Sequence, residues 1–104
     1  MVTGFFPGRI RLRAPLFKDA ALTERMIAVL KQAAAVTHIE HNPLTGSILL
    51  EYDPDRLPLK KLQPLLPFFK RLEKEAAVYS AKNKPVIFSL LNELEEYIKG
   101  WEAS

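Results

Sequence analysis

Three arginines stand at every second position of one short run, Gly8-Arg9-Ile10-Arg11-Leu12-Arg13-Ala14. A guanidinium is a planar fork of donors that grips carboxylates and phosphates in two-pronged fashion. A row of them is therefore a candidate surface for an acidic protein segment or a phosphate group. The other side chains with ligating chemistry are His38 and His41, with Glu40 between them. On a helix that spacing puts both imidazoles on one face. On a strand it puts them on opposite faces, where they cannot share an ion unless the strand ends between them. Two imidazoles and one carboxylate would still need a further ligand or a second subunit. Cysteine is absent, which removes disulfides, thiolate nucleophiles and thiolate metal sites. No nucleophile elbow, phosphate-cradling glycine loop or histidine–serine–acid grouping is present, so the expectation is a protein that is not an enzyme.

These residues depend on the elements that carry them. The arginine run has period two, the pattern of a half-buried strand, with Ile10 and Leu12 facing inward. Leu22, Met26, Val29, Leu30 and Ala33 mark one face of a helix that Asp19 caps and that runs to Ala35. Val36–His41 and Ser47–Tyr52 read as a hairpin around the turn Asn42–Gly46, with Gly46 free to take positive φ. Leu59, Leu62 and Leu66 begin a helical region that Pro64 and Pro67 must kink. A helix then runs from Phe68 to about Ala81. A final helix over about 85–101 carries the apolar stripe Ile87, Leu90, Leu91, Leu94, Ile98 and Trp101. No further strand has a clear pattern, since Ala77–Ser80 reads better as helix. The expectation is an α+β fold: a ferredoxin-like β-α-β-β-α core lacking its fourth strand, with extra C-terminal helices. The core spans 1–66 and the helical extension 67–104.

At 104 residues, 48% hydrophobic and 26% charged, the chain suits one small soluble domain. No apolar run approaches a membrane span, and Met1–Phe6 lacks the apolar stretch of a secretion signal, so a cytoplasmic location is expected. The net charge is +3. Residues 1–18 hold four cations and no acid, whereas 51–104 hold nine of each. The excess is a local stripe, not a global polyanion-binding surface.

Phe6-Pro7-Gly8-Arg9-Ile10-Arg11-Leu12-Arg13 resembles the opening of a cysteine-less branch of heavy-metal-associated domains. Val36–Asn42 followed by Pro43-Leu44-Thr45-Gly46-Ser47-Ile48-Leu49-Leu50-Glu51-Tyr52-Asp53-Pro54 resembles that branch's second block. The resemblance covers about residues 6–66. It implies a ferredoxin-like fold and a setting in transition-metal handling, where relatives stand alone or precede metal-transporting P-type ATPases. Metal-carrying members place Met-x-Cys-x-x-Cys between the first strand and first helix. Here that loop is Ala14-Pro15-Leu16-Phe17-Lys18-Asp19, with no soft ligand, so thiolate transfer of a metal does not carry over.

Several functional expectations follow. Arg9, Arg11 and Arg13 share a helix-free sheet face with Glu51 and with Glu40 on the neighbouring strand. They either pair with these acids or form a docking surface, for which a metal-transporting P-type ATPase is a candidate partner. Ile87, Leu90, Leu91, Leu94, Ile98 and Trp101 either close the core or form a homodimer or partner interface, and the bare edge left by a missing strand favours self-association. A hard or borderline metal ion, such as a transition-metal ion, held weakly by His38, Glu40 and His41 is an alternative. Nucleic-acid binding is another: the stripe would attract phosphates, but no aromatic ring on the arginine strand offers a base a place to stack.

Overall fold

The computed structural model describes residues 2–103. Val2–Phe6 (β1) and Arg9–Arg13 (β2) form an antiparallel hairpin around Pro7-Gly8. Gly8 takes φ +91 there, a conformation that L side chains avoid. A short 3-10 turn at Pro15–Lys18 leads into helix α1, Ala20–Leu30. Val36–Asn42 (β3) and Ser47–Tyr52 (β4) form the second hairpin. One helical turn, Leu59–Leu62 (α2), passes through a 3-10 segment at Gln63–Leu65 into α3, Leu66–Ala77. The long helix α4, Lys84–Ala103, ends the described chain.

The strand order is β1-β2-β4-β3, antiparallel throughout. Since β2 and β3 both run against β4, they are parallel to each other, and α1 makes the crossover between them. This is the connectivity of a split β-α-β unit. The α-helical pattern is interrupted between Leu62 and Pro67 by the 3-10 segment that holds Pro64, and Pro67 sits in the first turn of α3, where its missing N–H leaves no bond unmade. The α1 cap is Asp19, whose carboxylate accepts the Leu22 N–H at 3.1 Å.

Three sequence expectations are corrected. First, the sheet has four strands. Val-Thr-Gly-Phe-Phe shows no alternation, so a period-two test passes over it, yet the Pro7-Gly8 turn folds it onto β2. It covers the edge of β2 that a missing strand would have left bare, and β1 itself becomes the edge of the sheet. Second, α1 stops at Leu30 and α3 at Ala77, both earlier than expected. The stretch from Lys31 to Ala35 turns back into β3, with the Val36 N–H bonded to the Ala33 carbonyl.

Third, the apolar stripe of α4 is core. Ile87, Leu90, Leu91, Leu94 and Ile98 are buried within the chain, and Trp101 is partly buried against the same cluster. α4 lies on α1 and α3, so the stripe is not a surface open to a partner. The buried cluster runs from Leu12 through Phe17, Leu22, Met26 and Ile48 to Leu72 and Ile98. It fills the space between one sheet face and the helical layer, and the other sheet face is left open.

Candidate docking face

The strand registers lay out the open face in rows, because directly paired residues of an antiparallel sheet point to the same side. One row is Phe6, Arg9, Glu51 and His38; the next is Gly4, Arg11, Leu49 and Glu40; the third is Arg13, Ser47 and Asn42. The intervening rows, with Ile10, Leu50 and Ile39 in one and Leu12, Ile48 and His41 in the other, face the helices. β2 alternates accordingly: Arg9, Arg11 and Arg13 are exposed, Ile10 is half-buried and Leu12 is buried. The arginines, Glu51 and Glu40 thus share the helix-free face.

Sharing a face does not pair them. Among the described residues, neither Arg9 nor Arg11 has a carboxylate within 4.0 Å, although Glu51 stands directly opposite Arg9. Arg13 is partly engaged: its Nε donates to the Thr45 carbonyl at 3.2 Å, on the turn between β3 and β4. Two guanidinium groups, two residues apart, therefore face solvent with their donor forks free of any described carboxylate. Beside them lies a depression lined by Thr3, Gly4, Phe6, Arg9, Arg11 and Leu49.

His38 and His41 diverge as the strand spacing requires. His38 Nε2 lies 2.9 Å from Glu40 Oε1 on the open face, with both side chains mostly exposed. His41 faces the helices, and its Nε2 lies 2.7 Å from the Phe17 carbonyl oxygen. A carbonyl only accepts, so that nitrogen carries the proton. The pair does not chelate one ion, and among the described residues no three His, Asp or Glu side chains gather as a metal site. The loop that bears thiolates in the resembled family is here part of the core: Leu16 and Phe17 are buried, and the Ala14 N–H bonds to the Gly46 carbonyl at 3.0 Å. Neither its side chains nor its burial fits a metal-carrying loop.

Two further charged clusters serve the fold. Asp19 caps α1 and also receives the Tyr79 hydroxyl and, at 3.0 Å, the Lys84 ammonium. The tyrosine bond foremost, then the lysine and the Leu22 N–H, hold its carboxyl down at about 2, and the same carboxylate pushes the Tyr79 hydroxyl up. Glu95 receives Arg25 at 3.1 Å and Gln32 at 2.6 Å, which hold it at about 2 as well. Both clusters fasten α1 to the C-terminal helices.

Pattern analysis missed Phe6, Gly4 and Leu49 as members of the open face. The Pro7-Gly8 turn was the signal that could have located β1, since it returns whatever precedes it onto the arginine strand. Phe6 places an aromatic ring on this face beside the arginine strand. Its ring sits on the edge strand, however, and the central strands β2 and β4 offer arginines, Leu49 and Glu51 instead.

No helix among the described residues is long and apolar enough to cross a membrane. No curated protein and no solved structure matches the chain. Residues 1–100 match the family described as Heavy metal associated domain 2. The match takes in β1, α3 and nearly all of α4, well beyond the two blocks visible by eye, and the chain accordingly belongs to the heavy metal associated domain 2 family.

Proposed function

We propose that the protein is a non-catalytic binding module of transition-metal transport or homeostasis, built on a ferredoxin-like core whose closing strand is supplied from the N-terminus. It docks through Arg9 and Arg11, with Arg13 and Glu51 at the margin of the contact, onto an acidic segment of a partner protein. A metal-transporting P-type ATPase is the leading candidate. The observation that carries this reading is the pair of exposed guanidinium groups left without any described carboxylate on a face that also bears Glu51 and Glu40. Exposed intramolecular pairs contribute little to stability, roughly 0–1 kcal/mol, so leaving the two arginines unpaired costs the fold little and keeps them available. Family membership supports the metal-handling setting. The donor set does not support direct carriage of a metal, because the loop has no soft ligand, its Asp19 is engaged by Leu22, Tyr79 and Lys84, and His41 points away from His38.

Isothermal titration of the protein with cytosolic segments of such a transporter tests the proposal. Binding should weaken as salt rises, as expected of exposed charge contacts. It should be lost when Arg9, Arg11 and Arg13 are together changed to Ser. Equal binding by that variant rejects the surface.

A further inference from the structure

We propose that the acidic segment docks by adding to the sheet as a fifth strand along the outer edge of β1, and that it alternates acidic and apolar residues. This rests on the docking reading above and specifies its geometry.

β1 ends the sheet, and among the described residues no backbone hydrogen bond reaches it except those from β2. Its sequence, Val-Thr-Gly-Phe-Phe, has no charge and no proline. Native proteins usually protect an edge strand with charged side chains, proline or a bulge. The opposite edge, β3, has such protection in His38 and Glu40. β1 has only a bulge between Val2 and Gly4, so its unpaired backbone groups are available to an incoming strand.

The two sides of this edge differ in chemistry. On the open side, Gly4 stands opposite Arg11 and Phe6 opposite Arg9. Because Gly4 has no side chain, nothing at that position walls Arg11 off from the edge, and Gly4 and Arg11 line one depression. A strand added to β1 would lie two strand spacings from β2, about 10 Å. Arg11 and a glutamate can close that span by reaching toward each other over Gly4. On the helix side, Val2 and Phe5 stand opposite Leu12 and Ile10, yet remain 57% and 45% exposed because the helical layer does not extend over them. Side chains alternate along a strand. The complementary strand therefore presents acids to the arginines and apolar groups to Val2 and Phe5.

A second copy of the chain fits this edge less well. Two β1 strands placed side by side would bring two arginine stripes and two chains of net charge +3 together. The bulge at Thr3 also twists the edge away from a rigid partner. A flexible acidic peptide meets neither obstacle.

The test uses the full chain and an eight-residue capped peptide alternating glutamate and valine. Controls are a peptide of the same composition with glutamates and valines in separate blocks, and two alternating peptides N-methylated at the glutamates or at the valines. Removing one edge's backbone donors should weaken binding roughly tenfold, the worth of one or two net hydrogen bonds. The expected result is tighter binding of the alternating than of the blocked peptide, that weakening with one of the two methylated peptides, and loss with Arg9→Ser/Arg11→Ser. Phe5→Ser, a change at a half-exposed site, should weaken the alternating peptide and leave the blocked one unchanged. Equal binding by all four peptides, lost in the arginine variant, overturns strand addition and leaves charge docking intact. Peptide binding that survives the arginine variant overturns the docking reading itself. A dimer in light scattering that the peptide does not displace assigns the edge to a second copy and overturns this proposal. Binding of oligouridylate in place of every peptide overturns both.

Discussion

Gly46 has φ +67, and a Cβ there would lie 2.7 Å from the Ala14 carbonyl oxygen. Backbone, not a movable side chain, stands in the way. Gly46→Ala should therefore destabilise the protein by about 1–3 kcal/mol, the usual range for a side chain forced into a left-handed conformation, as read by urea unfolding. Asp19 and Glu95 give the second prediction at this scale. Both are held at about 2, below the ordinary carboxylate range, so the unfolded chain binds their protons more tightly than the folded one. Their contribution is complete above the ordinary carboxylate range and is lost as pH falls toward about 2. The urea midpoint should fall through that window, and Asp19→Asn with Glu95→Gln should flatten the fall. Of these contacts only the Asp19 cap was legible in the sequence. Tyr79, Lys84, Arg25 and Gln32 all reach their acids across the fold, over separations of 60 to 70 residues, which no local spacing reveals.

The elements were easier to read than their surroundings. Strict alternation located β2, and the proline positions located the break before α3, because both are local constraints on the backbone. β1 was invisible to the same test, since adjacent phenylalanines break the alternation and each faces a different side of the sheet. The apolar stripe of α4 was legible as a stripe, but a stripe does not say what covers it. α1 and α3 do, so Leu94→Ala should cost about 2–5 kcal/mol, the range for truncating a buried leucine. Light scattering should give the same molar mass for Leu94→Ala as for the parent protein. A change in assembly without loss of stability would return that helix to the surface.

Charge organises the whole molecule. Four cations and no acid in residues 1–18 end up on and beside one strand, while the rest of the chain is nearly balanced. Folding places the helices on one side of the sheet and leaves the arginines on the other. Composition made the stripe legible, and the alternation made its orientation legible. That no described carboxylate pairs with the Arg9 or Arg11 guanidinium became legible only with the register and the side-chain placement. An amide NMR titration of the isotopically labelled full chain with the alternating glutamate–valine peptide addresses the docking face most directly. Shifts should concentrate on β1, β2 and the open-face positions of β4, from Gly4 and Arg11 to Leu49, and vanish in Arg9→Ser/Arg11→Ser. Shifts centred on the outer surfaces of α3 and α4, or a pattern that the arginine changes leave intact, would contradict the account.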